Sequence, residues 1–331
     1  MRIRKCRARF WAGATLSLAL AGCAAPQTRA LLADPPVVSP RTEILATPFF
    51  PQTQYHCGPA ALATVLKYRD VDVRLDALVD EVYLPQRKGS LQAEMIAAAR
   101  GRGMLAYPLH GSLVALLREI DAGNPVLVMQ NLGLDWWPQW HYAVAIGYDL
   151  GAGNIVLRSG TRERHVVSLS TFERTWTRAN RWALVIAAPG SVPETAELEV
   201  FLATALDLER TDRLVDARAA YVAATRRWPE SAPAQLALGN AAYRLDAPRD
   251  ALEAFKRAVA LQPRSAAAWN NLAWSLNASG CPDDAHLALR CAATLQPEDA
   301  EINRSLAELT AATQPPAVDT RHCSVARCPV E

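Results

Sequence analysis

The sequence predicts an α+β domain followed by an all-α repeat domain. Two observations predict this. Between Pro48 and Ala188 helical patterns come first and strand patterns last, the order of an α+β domain and not of alternating βαβ units. Beyond Pro189 the chain turns rich in Ala and Leu, and Pro229, Pro263 and Pro297 recur at intervals of 34 residues, a repeat signature. At 331 residues, half of them apolar, the chain has material for two cores. Its 35 basic and 33 acidic residues leave a net charge of +2, too little to draw it onto nucleic acid or an acidic surface. There is no phosphate loop, no Cys/His set with zinc spacing and no basic patch with interleaved aromatics, so no cofactor, metal or nucleic-acid partner is implied.

The N-terminus has an export pattern. Arg2, Arg4, Lys5, Arg7 and Arg9 precede the apolar run Phe10 to Ala21, which is shorter than the roughly 20 residues that span a bilayer. Residues 1–22 are therefore expected to be a signal peptide. The run closes on Leu20-Ala21-Gly22-Cys23, which resembles the lipobox of bacterial lipoproteins. That resemblance implies that Cys23 is lipidated and holds the protein on a membrane. Ala24 is not the aspartate that commonly retains such proteins on the inner membrane, so the expected location is the cell envelope, at the outer membrane facing the periplasm. Residues 23–43, with Pro26, Pro35, Pro36 and Pro40, suit an extended tether.

The α+β domain is expected over 44–190. Cys57 to Tyr68 has apolar residues at helical spacing, with Pro59 where the first turn tolerates it. Leu75 to Val82, Ser90 to Arg102 and Ser112 to Ala122 are further helices, the last stopped by Ala-Gly-Asn. The period then changes to two, and Val126 to Gln130, His141 to Tyr148, Asn154 to Arg158, His165 to Leu169 and Trp182 to Ala187 read as strands.

Over 191–312 the 34-residue period is that of the tetratricopeptide repeat, about three units of paired helices. Leu238-Gly239, Ala251, Phe255, Ala258 and Pro263 fit its pattern in one unit, and Trp269, Leu272, Ala285, Leu289, Ala292 and Pro297 in the next. A weaker unit holds Phe201, Ala217, Tyr221, Ala224 and Pro229. Small residues belong where paired helices approach, and large ones between hairpins. The tail, 313–331, has no periodic signal. In an oxidising compartment the even set Cys281, Cys291, Cys323 and Cys328 is consistent with disulfides. Their pairing stays open: Cys323 and Cys328 pair with each other or with the repeats.

The chemistry is carried by Gln52-Thr53-Gln54-Tyr55-His56-Cys57-Gly58-Pro59. Cys57 stands at a helix N-terminus, where unpaired amides and the helix dipole favour a thiolate nucleophile. Gly58 is expected to leave room for a substrate carbonyl, and Gln52 to donate its amide to the developing oxyanion. A glutamine, four residues and then Cys-Gly opening an Ala/Leu-rich helix resembles the bacteriocin-leader-processing cysteine peptidases, a branch of the papain-like fold. That family places its histidine at the start of a strand after a long loop, and Trp140-His141-Tyr142-Ala143-Val144 answers to it. The resemblance implies a papain-like fold over about Pro48 to Ala188, and His141 as base and acid for Cys57.

One departure stands out: where the family carries Asp-Pro, this chain has Ser159-Gly160. If Asp149 to Gly153 forms the hairpin loop, His141 faces Gly160 with Ser159 alongside, so Ser159 is the expected orienter of the imidazole. Asp135 is the alternative. Asp149, eight residues along the strand from His141 at about 3.3 Å each, is about 26 Å away and cannot serve. His56, His110 and His165 are expected to be non-catalytic. The loop Asp135 to Trp140 brings Trp136, Trp137 and Trp140 next to His141, where they either line a substrate groove, with Trp137 and Trp140 as lining residues, or lid the core.

The expected activity is hydrolysis of peptide bonds in an exported protein or peptide, with the repeats recruiting a protein partner. A scaffold lipoprotein that keeps the fold for binding is the alternative.

Overall fold

The computed structural model describes residues 25–52, 55–311, 323 and 327–329. The expected signal peptide, the lipobox and Cys23 lie outside the described residues. Chain contacts divide the protein into two compact units. One holds residues up to Ala99 with 106–186 and 193–195, and the other 100–105, 187–192 and 196 onward.

The first unit is built on a seven-stranded sheet: β1 (Arg41–Glu43), β2 (Leu105–Pro108), β3 (Val126–Asn131), β4 (Trp140–Asp149), β5 (Asn154–Ser159), β6 (Arg162–Ser168) and β7 (Ala183–Ala187). The strand order is β2-β7-β3-β4-β5-β6. β1 pairs antiparallel with β4 just beyond the point where β3 stops, Glu43 opposite Gly147 and β3's Val126 opposite Ala145. The central strands bury both faces, so β3 reads as the apolar run Val126, Leu127, Val128. β6 at the edge alternates exposed and half-buried residues.

The helix Cys57–Tyr68 packs against β4 and the helix Leu75–Val82. Covered on more than one side, it buries every residue from Gly58 to Leu66, with Leu62 and Leu66 fully enclosed. That burial fixes where its first residue, Cys57, emerges.

Several boundaries differ from the sequence expectation. The segment expected to be an extended tether is helical over Pro26–Ala33. The cause is tertiary. The Glu173 carboxylate accepts the amides of Gln27 at 2.9 Å and Thr28 at 2.7 Å, and Leu31 is buried. A remote acid thus satisfies amides that a helix start leaves unpaired. The expected strand His165 to Leu169 ends at Ser168, whose hydroxyl accepts Thr171 N and opens the helix Leu169–Thr177. β1 and β2, three and four residues long, are too short to carry an alternation.

The hairpin that carries His141 also differs. Asp149 pairs with Asn154 as the last strand residue, so the loop is one residue shorter than expected. A bulge between Ala145 and Gly147 then shifts the ladder to Ala145 opposite Leu157 and Val144 opposite Arg158.

The second unit is a stack of helix pairs. First helices begin at Leu198, Ala232, Ala266 and Ala300, one every 34 residues, and second helices at Leu214, Pro248 and Pro282. Ser231 and Ser265 cap the starts of two first helices by accepting Ala234 N and Ala268 N. Phe201, Tyr221, Phe255 and Trp269 are buried between helices, as the repeat pattern expects. The last helix, Ala300–Ala311, closes the stack. Disulfides join Cys281 to Cys323 and Cys291 to Cys328, so the tail cysteines pair with the repeats and not with each other.

Candidate active site

Three elements bring the sequence-predicted residues to one cleft of about 1070 Å³, lined among others by Gln52, Cys57, Trp140, His141, Tyr142 and Gly160. Cys57 is the first residue of its helix and the one free cysteine among the described residues. His141 is the second residue of β4, and Ser159 the last of β5. His141 Nε2 and Ser159 Oγ lie 2.8 Å apart. That contact occupies one ring nitrogen and leaves Nδ1 for the cleft. The Gln52 segment is held to the end of β5: Gln52 N donates to Gly160 O at 3.1 Å, and the Arg158 guanidinium donates to Thr47 O.

The backbone amides of Tyr142, one residue past the imidazole, and secondarily of Gly58 and Cys57 favour the charged form of the Cys57 sulfur. Sequence reasoning missed Tyr142, because nothing in its side chain announces a role for its amide. Its phenol donates to Ser90 O at 3.2 Å and so ties β4 to the far wall of the cleft. That wall, Arg87 to Ala93, was also not foreseen. Its turn chemistry is local, but no spacing connects it to Cys57.

The charge state differs from the sequence expectation. Burial pushes the Cys57 thiol above its ordinary range, and the three amides only partly oppose it. Burial, and secondarily the charge of His165, bring His141 down to about 4. Both shifts favour an uncharged thiol beside an uncharged imidazole at neutral pH. Among the described residues no cation counters the burial of the sulfur, and desolvation outweighs the amides at the helix terminus.

Gly58 also has a different reason than expected. It does not line the cleft. A Cβ there would meet Ser90 Oγ at 2.6 Å and Met95 Sδ at 3.3 Å, so its absent side chain lets the helix pack against the Ser90 wall.

Of the tryptophans, Trp140 lines the cleft, whereas Trp137 lines a separate hollow with Trp136 and Leu134. All three are exposed, so they do not lid the core. Asp135 is exposed on the same loop, and the imidazole's hydrogen bond goes to Ser159 instead. His56 packs edge-on against Tyr83 at 4.9 Å between ring centres, His110 is exposed, and His165 contacts Arg162.

Comparison with known proteins agrees with this architecture. Residues 44–184 match the family model described as Peptidase_C39 like family, and residues 254–286 match a tetratricopeptide repeat. No curated protein matches the chain. Among solved structures, a putative C39-like peptidase from Bacillus anthracis is 18% identical, over 46% of this chain and 99% of that one, with a TM-score of 0.38. A double glycine motif protease from an AMS/PCAT transporter, in complex with its leader peptide, is 21% identical over 42% and 89%, with a TM-score of 0.32. The first TPR of Spaghetti (RPAP3), bound to an HSP90 peptide, is 17% identical over 34% and 90%, with a TM-score of 0.33. The chain thus carries a C39-like peptidase domain over 44–184 and a tetratricopeptide repeat over 254–286.

Proposed function

We propose that this protein is a membrane-tethered cysteine peptidase that hydrolyses peptide bonds of an exported protein or peptide, with its repeats binding a protein partner. The observation that carries the reading is the convergence of Cys57 and His141 on one cleft, with Ser159 bonded to the imidazole.

From the uncharged pair, His141 Nδ1 takes the thiol proton as the sulfur attacks the substrate carbonyl carbon. The oxyanion forms against the Cys57 amide and the Gln52 carboxamide. The imidazolium then protonates the leaving amine, the C–N bond breaks, and a thioester remains. Water, deprotonated by the same imidazole, hydrolyses it and frees the thiol. Ser159 holds the ring through Nε2, which leaves Nδ1 to act as the base, and is a positioning residue. Cys23 would carry the lipid that keeps the enzyme on the outer membrane facing the periplasm, with 1–22 removed as signal peptide. The resemblance suggests cleavage after small residues such as glycine; action of the same pair on a peptidoglycan peptide, by hydrolysis or amide transfer, is a separate option that product analysis decides.

The test is peptide hydrolysis by wild type, Cys57→Ala and His141→Ala. Each substitution is expected to lower kcat/KM by roughly a thousandfold or more. Hydrolysis that survives Cys57→Ala would remove the reading. Cys57→Ser protein, used as bait in envelope extracts, is expected to retain the substrate.

A second reading, a scaffold that keeps the fold for binding, is favoured by the raised thiol and by the absence of a carboxylate on His141. It expects peptides to bind the cleft without being cleaved.

A further inference from the structure

The turn between β3 and β4 shows an arrangement that catalysis does not require. Trp136 and Trp137 are 77% and 66% exposed, and Leu132 and Leu134 beside them are also exposed. Large apolar side chains grouped in the open mark a binding surface. The turn is also braced from within. Buried Asn131 accepts Gly133 N at 3.0 Å and Gln139 N at 2.9 Å through its side chain, and donates to Leu134 O. Leu134 and Trp137 close on each other by a bridge. The fold therefore braces the backbone of the turn while these side chains stand exposed.

The brace leads to the N-terminus. Arg178, at the end of the helix Leu169–Thr177, donates to Asn131 O at 2.9 Å. Glu173 of the same helix receives the first amides of the helix Pro26–Ala33, and Gln27 bonds to Gly111 O and Leu113 N. Glu173 and Arg178 are five residues apart, about 7.5 Å along a helix. Cys23 precedes Pro26 by three residues, a reach of at most about 11 Å. The chain between the candidate lipid and the folded unit is thus a short link, and it ends beside the helix that braces the turn.

The charge of this region fits the same partner. Arg29, Arg174, Arg178 and Arg181 sit on these elements, and among the described residues none of them is in an ion pair. Glu173 is buried and taken up by amides, which leaves Asp135 of the turn and Asp34 at the end of the helix Pro26–Ala33 as exposed acids against the four arginines.

We propose that the face formed by the Trp136-Trp137 turn and the arginines around the helix Leu169–Thr177 docks on an anionic lipid surface. Indole rings and leucines enter the headgroup boundary while arginines meet the phosphates. The docked face adds a second attachment to the single lipidated residue and sets the cleft, which opens beside Trp140, next to the bilayer. The inference rests on the membrane location proposed above and not on peptidase activity.

The test uses the mature-length chain with Cys23→Ser, which cannot be lipidated, and co-sedimentation with vesicles of phosphatidylcholine alone or mixed with phosphatidylglycerol. Wild-type sequence at the turn is expected to bind the mixed vesicles, with a blue shift of tryptophan emission. The double substitution Trp136→Ser and Trp137→Ser is expected to weaken binding by roughly tenfold or more. Arg174→Gln with Arg181→Gln should weaken it by about fivefold per residue and only on anionic vesicles. All four side chains lie outside the buried core, so an unchanged melting temperature and an unchanged rate of Cys57 alkylation are expected. Vesicle binding that ignores both pairs of substitutions overturns the proposal. So does an altered KM for a peptide with unaltered vesicle binding, which assigns the turn to substrate. Because this chain bears no lipid, the result is independent of acylation at Cys23, which mass spectrometry of the envelope protein reads separately.

Discussion

His141 loses its proton near pH 4, while the Cys57 thiol holds its own above the ordinary range. In a cationic thiolate–imidazolium site the order would be reversed. Here the base is competent wherever the imidazole is neutral, that is, above about 4. The acid limb of kcat/KM is therefore expected near pH 4, well below the ordinary histidine range of about 6.5. Iodoacetamide alkylation of Cys57 should climb only on the alkaline side, and an acidic plateau would show that the pair is charged after all. Ser159→Asp places a carboxylate on Nε2 and stabilises the imidazolium. The acid limb should then move to higher pH, whereas Ser159→Ala leaves the ring without that partner and lowers kcat by roughly tenfold with little change in KM. The pair itself was legible in the sequence, since the helix start and the strand start are local signals. The protonation state was not, because it depends on what surrounds the side chains.

Individual elements hold their places through contacts that one substitution can break. Gly239 lies where two helices of a repeat meet, and a Cβ there would stand 2.4 Å from the Phe255 ring. Gly239→Ala, a favourable change for an isolated helix, is thus expected to destabilise the repeats by about 1–3 kcal/mol, visible as a lower thermal midpoint. The N-terminal helix Pro26–Ala33 depends on Glu173 in the same way. In Glu173→Ala the two amides lose their acceptor, at a cost of about 1–3 kcal/mol for each group left buried. Hydrogen exchange over 26–33 should accelerate, with the β-sheet amides unchanged. Prolines in 23–43 argued for an extended chain, but Pro26 suits the first turn of a helix, and the acid that completes that turn is 146 positions away. Proline content alone could not supply that partner.

At the scale of the whole molecule, the two disulfides anchor the tail to the last full helix pair over separations of 42 and 37 residues. Cys281, Cys291 and Cys323 belong to the same buried cluster as Phe255 and Trp269. Closing loops of this length restricts the unfolded chain by up to about 4 kcal/mol per bridge. Reduction is therefore expected to lower the thermal midpoint of the repeat unit while leaving Cys57 alkylation by pH as before. A loss of cleft reactivity on reduction would contradict this. The even cysteine count was readable in the sequence, but the pairing needed the fold, because four cysteines allow three connectivities.

The sequence by itself determined Cys57 and His141 as the candidate pair, the order of helices before strands, and the 34-residue repeat. Each is written in local periodicity or in a short motif whose neighbours are also neighbours in the chain. Only the tertiary structure decided that burial favours the uncharged forms of Cys57 and His141, that the Tyr142 amide acts on the sulfur, and that Gly58 serves packing against Ser90. The fold alone also set the two inner tryptophans of the turn outward and bonded the N-terminal helix to Glu173. These features depend on burial and on contacts between segments far apart in sequence, and neither exists until the chain has closed on itself.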